Sequence, residues 1–226
     1  MPTLPFRSLL FVGADDPARL QAAFASGADA VVADLEDFTP AGRKHEARQV
    51  LADVLPGARG AARLVRINVP GTELAAADLE AIAGLALDAI VVPKATPDGI
   101  AALGSDGPPL IAIIESAQGL RSAYEVACCP RVGALVLGAN DLGADLRLQA
   151  RPDALELLFA RSKVVADSAA AGIRAPFDRV FNRYDDPAGL EADARFARSL
   201  GFGGKGCTHA AQPAVVNGVF DNHSHA

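Results

Sequence analysis

Aromatic residues make up only 5% of the chain and cysteines number three. No uninterrupted apolar run reaches the roughly 18 residues that a membrane-spanning helix needs. The opening stretch, MPTLPFRSLLFVGADD, lacks a basic region followed by a long apolar segment and a small-residue cleavage site, so no secretory signal is expected. Basic residues are also in deficit: 21 Lys and Arg stand against 27 Asp and Glu, a net charge of −6, and they are scattered. That leaves no electrostatic footprint for a nucleic-acid backbone. Two of the cysteines, Cys128 and Cys129, are adjacent. Such a set makes neither a paired disulfide framework nor a CxxC metal spacing, and a soluble protein of the reducing cytoplasm is expected.

With few aromatics and half of the residues hydrophobic, the core must be built from Ala, Val, Leu and Ile. These suit buried parallel strands and the helices that cover them. Strand-like runs alternate with helical patterns along the chain: RSLLFVGA (7–14), DAVVADLED (29–37), RLVRINV (63–69), DAIVVPK (88–94), PLIAIIES (109–116), GALVLGAND (133–141), IRAPFD (173–178) and FGGKGCTH (202–209). Between them lie Ala- and Leu-rich segments at helical spacing, and Gly27, Gly172 and Gly201 stand where left-handed helix ends are expected. Eight strands, each followed by a helix, predict one (β/α)₈ TIM barrel over residues 1–220, with 221–226 as a disordered tail. A doubly wound sheet is the structural alternative.

Alternation along each strand predicts an inward stripe that ends in a polar group at the barrel mouth. Strand five offers Ile111, Ile113 and Glu115, and strand six Leu135, Leu137, Ala139 and Asp141. Strand three offers Leu64, Arg66 and Asn68, strand two Val32, Asp34 and Glu36, and strand four Ile90, Val92 and Lys94. Strand one offers Leu9, Phe11 and Gly13 above Arg7. Glu115 and Asp141 suit Mg²⁺, a hard ion that takes one or two carboxylates and completes its shell with water and substrate oxygens. Gly138, Ala139 and Asn140 would bring backbone amides beside the ion to receive a substrate carboxylate. Arg66 suits stabilisation of an enolate, because guanidinium stays charged and directional in a dry site.

Structural roles compete with these. Either carboxylate at a strand end can be a helix cap, and Arg66 can be the ion-pair partner of Glu36 or Asp37. Lys94 can be a Schiff-base lysine, an ion-pair partner or a substrate-orienting charge. His209 reads as a packing or hydrogen-bonded residue and Cys128 and Cys129 as buried helix residues.

The ordered segments RSLLFVGADD, VVADLEDFTPAGRKHEAR, RINVPGTE, IVVPKA, IIESAQGL, VLGANDLGADL and LGFGGKGCTHAAQ resemble the motifs of the citrate lyase β-subunit-like and malyl-CoA lyase-like proteins of the HpcH/HpaI superfamily. The resemblance implies a TIM barrel, Mg²⁺ on Glu115 and Asp141, Arg66 against substrate, and the acidic pair Glu36 and Asp37 near the reacting groups. It also implies lyase or condensing chemistry on malyl-, citramalyl- or citryl-CoA and a homotrimer; Arg7, Lys94 and the 138–140 segment, from the strand reading above, are expected as further substrate contacts. Many members carry a C-terminal lid region, and no counterpart to it is expected within this sequence. Where they usually show basic residues for the CoA phosphates, this chain reads GADDPAR, so Asp15 and Asp16 are expected to repel that polyanion. The alternatives are a metal-dependent aldolase acting on free 2-oxo acids, an acyl-CoA thioesterase, and a catalytically reduced ligand-binding homologue.

Overall fold

The computed structural model describes residues 4–221. Eight parallel strands close a barrel in sequence order: β1 (Ser8–Gly13), β2 (Ala30–Asp34), β3 (Ala62–Arg66), β4 (Ala89–Val92), β5 (Leu110–Ile114), β6 (Val132–Leu137), β7 (Phe177–Asp178) and β8 (Gly204–Cys207), with β8 pairing back onto β1. Closure in this order excludes the doubly wound alternative. The covering helices are α1 (Pro17–Phe24), α2 (Lys44–Val54), α3 (Glu73–Ile82), α4 (Pro97–Ala101), α5 (Ala117–Arg121), α6 (Ala123–Ala127), α7 (Ala139–Asp145), α8 (Leu158–Ala170), α9 (Pro187–Ser199) and α10 (Gln212–Phe220). Asp16, Thr72, Thr96, Ser116 and Asp186 cap helix starts through their side chains. Gly27, Gly172 and Gly201 take the positive φ expected of them.

All eight strands are shorter than the sequence predicts, and two of them end for an identifiable reason. β7 shrinks to two residues, since Pro176 has no N–H to give to a ladder. β6 stops at Leu137 because the chain turns helical at Ala139, so the GAND segment crowns the strand rather than extending it. The expected tail lies outside the described residues apart from Asp221.

The strands are apolar on both faces. Leu9, Phe11, Val32, Leu64, Val91, Ile111, Ile113, Val136 and Phe177 fill the barrel interior. Leu10, Val31, Val65, Ile90, Val92, Leu135 and Leu137 face the helices. This corrects two of the predicted stripes: β4 turns Ala89 and Val91 inward, and β6 turns Ala134 and Val136 inward. A strand buried on both faces carries no polar alternation to set its phase. In β6 the phase also slips, because Leu110 pairs with Val132 and the next residue, Ile111, with Ala134.

Arg7 precedes β1 and so lies at the N-terminal end of the barrel, opposite the mouth. Its Nε is 2.8 Å from Asp29 and its Nη1 2.5 Å from Asp221. This overturns its expected place among the substrate contacts: it ties the chain end to the barrel floor. Cys128 is exposed and Cys129 half-buried, a second correction. No helix among the described residues is long and apolar enough to cross a membrane.

Candidate active site

The turn after β2 is wound around one carboxylate. Asp34 accepts from the amides of Glu36 at 2.7 Å and Phe38 at 3.1 Å, while its carbonyl takes the Thr39 hydroxyl at 2.6 Å. From α2, the buried Lys44 ammonium donates to the carbonyls of Leu35 and Glu36 at 2.8 and 3.0 Å and to Asn68 Oδ1 at 2.7 Å. Asn68 in turn donates to Asp78, which Arg48 meets at 2.8 Å. Lys44 and Arg48 thus pin the turn that carries Glu36 and Asp37 onto the end of β3. Asn68, read as a mouth residue, belongs to this support.

Arg66 ends β3 and reaches across to that turn. Its Nε lies 2.8 Å from Asp34 Oδ1 and its Nη2 bonds Oδ2, a bidentate pair that sequence reasoning missed although Asp34 stood in the predicted stripe. Nη1 points onward, 2.8 Å from Glu36 Oε2 and 3.3 Å from Asp37. Its guanidinium carbon is 5.5 Å from the ring centroids of Phe11 and of Phe38. Burial opposes the charge, but Asp34, Glu36 and Asp37 outweigh it and keep Arg66 cationic. Burial pushes the Glu36 carboxyl up to about 7, with Arg66 pulling it down and Asp37 adding to the rise. Although 2.8 Å from Arg66, Glu36 Oε2 is buried without a properly directed hydrogen bond.

Glu115, just past β5, and Asp141, in the first turn of α7, line a cavity of about 90 Å³ together with Arg66 and Asp37. Lys94 joins them: its backbone N–H donates to Glu115 at 2.7 Å and its Nζ is 3.3 Å from Asp141 Oδ2. It does so from a left-handed backbone, φ 46°, which is strained for a residue with a side chain. Asp141 therefore reaches the mouth from a helix and not from the inward face of β6. Gly138 is required by proximity: a Cβ there would sit 2.4 Å from Glu115 Cβ. Burial pushes Glu115 up to about 7, against the Lys94 amide and Arg66.

Among the described residues no three His, Cys, Asp or Glu side chains form a ready metal cage. What the mouth offers is a pair of carboxylates, one buried, beside a second buried acid with an unsatisfied oxygen. This donor set fits a hard divalent cation that draws its remaining oxygens from water and substrate. It does not fit zinc, which wants nitrogen and sulfur.

Asp15 and Asp16 do not stand free at the β1–α1 turn. Asp15 is 2.7 Å from Arg43, and Asp16 accepts the amides of Ala18 and Arg19 as the cap of α1. Both aspartates are thus engaged within the fold, although Arg43 is shared with Glu46. Beside this turn a cavity of about 500 Å³ is lined by Arg19, Phe38, Tyr184 and His209. The Tyr184 and His209 rings lie 5.6 Å apart.

Residues 7–210 match the family described as HpcH/HpaI aldolase/citrate lyase. A (3S)-malyl-CoA thioesterase of Cereibacter sphaeroides is 38% identical over 222 residues, which is 96% of this chain and 77% of the relative. The citrate lyase subunit beta of Leuconostoc mesenteroides is 33% identical over 231 residues, 95% of this chain and 76% of the relative. Among solved structures, the citrate lyase beta subunit of Mycobacterium tuberculosis complexed with oxaloacetate and magnesium superposes with a TM-score of 0.86 at 34% identity, covering 95% of this chain and 96% of that one. CitE of the same organism, in complex with magnesium, acetoacetate and coenzyme A, gives 0.85 at 33% identity, covering 96% and 82%.

Proposed function

The chain belongs to the HpcH/HpaI aldolase/citrate lyase family, and from that premise we propose that it is a Mg²⁺-dependent carbon–carbon lyase. Its substrate is a β-hydroxy acyl thioester such as malyl-, citramalyl- or citryl-CoA, cleaved or formed. The observation that carries this reading is the meeting, in one small cavity, of Glu115 and Asp141 with the outward edge of Arg66, which also meets Glu36 and Asp37. Relatives whose structures hold magnesium with oxaloacetate, or with acetoacetate and coenzyme A, support it.

Glu115 and Asp141 would hold the cation. When bound, Mg²⁺ supplies Lewis-acid polarisation and a template for the oxygens of a 2-hydroxy or 2-oxo carboxylate. The backbone from Gly138 to Asn140 receives the substrate carboxylate, and Lys94 orients it. In the cleavage direction Glu36 accepts the hydroxyl proton at its unsatisfied Oε2, with Asp37 as the exposed neighbour that exchanges it with solvent. The carbon–carbon bond breaks, its electron pair passes to the acyl enolate, and Arg66 Nη1 stabilises the oxyanion while Nε and Nη2 stay on Asp34. Protonation of the enolate carbon releases the shorter thioester. The carrier runs past Phe38 and Arg19 along the cavity beside the β1–α1 turn. A cytoplasmic homo-oligomer, a trimer by resemblance, completes this reading.

A second reading, thioester hydrolysis, is favoured by the relatives named (3S)-malyl-CoA thioesterase. One experiment separates the two. Purified protein with Mg²⁺ is incubated with malyl-, citramalyl- and citryl-CoA, and products are followed by mass spectrometry. An oxo acid with a shorter acyl-CoA is the expected result. Free CoA with the intact hydroxy acid would establish hydrolysis, and no product from any thioester would overturn both.

A further inference from the structure

A second cavity, far larger than the mouth at about 740 Å³, opens between α7, the connection 146–157 and α9. One face of α7 lines it with Ala139, Asn140, Gly143 and Arg147, while Asp141 of the same helix serves the mouth. Four guanidinium groups line this cavity: Arg147, Arg151, Arg179 and Arg183.

Arg151 and Arg183 are exposed and paired with Asp153 and Asp186. The other two differ in their pairing, although Arg147 is exposed as well and Arg179 is half-buried. Arg147 forms no ion pair among the described residues. Arg179 Nη2 is 2.9 Å from Asp193, yet its Nε is buried with no hydrogen-bond partner.

Arg179 is the outer member of a buried network. Asp193 also meets Arg161 at 2.9 Å and Lys205 at 2.6 Å, and Asp178 meets the same two cations at 2.8 and 2.7 Å. Three cations thus face two carboxylates, and Arg161 and Lys205 are fully buried. A buried excess of positive charge is costly unless an anion stands beside it. The cavity wall at Arg179 is where one can. Of the lining carboxylates, Asp153 is paired with Arg151 and Asp193 is held by three cations although its Oδ2 has no directed hydrogen bond, whereas Glu156 has a buried Oε2 with neither a hydrogen bond nor an ion pair among the described residues. The walls therefore ask for a group with several charged acceptor oxygens and one donor. A phosphate carrying one O–H has both.

We propose that this cavity is a phosphate-binding site, in which Arg147 and Arg179 grip the phosphate oxygens and Glu156 accepts its proton-bearing oxygen. The site needs neither the cation nor the carbon–carbon chemistry proposed above. Its ligand is either inorganic phosphate or the phosphate of a larger molecule that reaches over the rim at Asn140, whose Oδ1 accepts from Asn182 at 3.3 Å.

The test is calorimetric titration of the full chain with inorganic phosphate in an oxyanion-free buffer containing EDTA. Wild-type protein is expected to bind. Arg147→Gln should weaken binding by about tenfold or more, as for a lost charge-assisted hydrogen bond. Gly143→Leu, whose side chain enters open space, should abolish it by filling the cavity. Glu115→Gln and Arg19→Gln should leave it unchanged. Absence of binding to wild type, equal affinity in Arg147→Gln, or loss in Arg19→Gln would overturn the site. If Gly143→Leu fails to fold, the Arg147 comparison decides alone. Repeating the titration with the protein saturated in coenzyme A separates the sources. Competition that Arg147→Gln relieves assigns the site to the carrier's phosphate, and undiminished phosphate binding assigns it to the free anion.

Discussion

Arg66 lies edge-on against Asp34, sharing two hydrogen bonds with it and leaving only Nη1 turned to the mouth. Asp34 fixes the plane of the guanidinium, and Nη1 is the atom that the proposed chemistry uses. Arg66→Lys retains a charge and loses the fork, so kcat should fall by about 2–4 kcal/mol of transition-state stabilisation, as for removal of an oxyanion donor. Wild-type kinetics in this variant would make Arg66 structural. Asp34→Asn keeps the shape but leaves a buried guanidinium short of its counterion. Its melting temperature should fall along with its kcat.

The cation site gives a prediction with two signs. Glu115→Gln and Asp141→Asn should each remove measurable Mg²⁺ binding in calorimetry. Lys94 stands 3.3 Å from Asp141 and is half-exposed, so it competes weakly for the same carboxylate. Lys94→Met should therefore tighten Mg²⁺ binding by a factor of about 2–5, the size of an exposed ion pair, while turnover drops because substrate loses an orienting charge. Weaker Mg²⁺ binding in Lys94→Met would show that the lysine supports the site instead.

Why some of this was legible in sequence and some was not follows from the strands. Glu115 continues the true inward stripe of β5, and Arg66 that of β3, so period two placed both. β4 and β6 are apolar on both faces, and nothing in LGAND or VVPK announces that the chain leaves the strand there. The phase of β6 is shifted against β5, and Asp141 arrives at the mouth by a helical turn. Arg7 has the right phase but the wrong end of its strand. Asp34 lies in the inward stripe that period two gives, but nothing in the sequence announces its pairing with Arg66, and a lysine seven residues after DLED reads as surface charge until the fold buries it.

Lys44 should act on the reaction without touching it. Its ammonium holds two turn carbonyls and Asn68, so Lys44→Met leaves the Glu36 carbonyl and Asn68 Oδ1 without a donor, at about 1–3 kcal/mol each before relaxation, while the Leu35 carbonyl keeps the Asn68 amide at 3.0 Å. The turn carrying Glu36 should then loosen. The expected kinetic signature is a lower kcat with KM for Mg²⁺ little changed, because Glu115 follows β5 and Asp141 sits on α7, away from that turn. Loss of stability alone, with kcat intact at a temperature where the variant is folded, would confine Lys44 to a structural role.

The last prediction concerns acid. Asp178 is fully buried, and although burial favours its neutral form, Lys205 and Arg161 hold its carboxyl below the usual range. Asp193 is lowered in the same way by Lys205, Arg179 and Arg161. A carboxyl whose folded value is depressed binds fewer protons in the folded than in the unfolded chain between the two values. Its stabilisation is therefore complete above the unfolded value of about 4 and drains away as pH falls toward the folded one. The urea midpoint should change little on this account from neutrality to about pH 5 and fall steeply below about pH 4. Asp178→Asn leaves Arg161 and Lys205 buried with one acid between them, which should cost about 3–5 kcal/mol at neutral pH. The same variant has less to lose on acidification, so its curve should converge on that of the wild type at low pH. Two curves that stay parallel from pH 7 to pH 3 would mean that Asp178 is not a source of the acid lability, and would shift it to Asp193 and the remaining ion pairs.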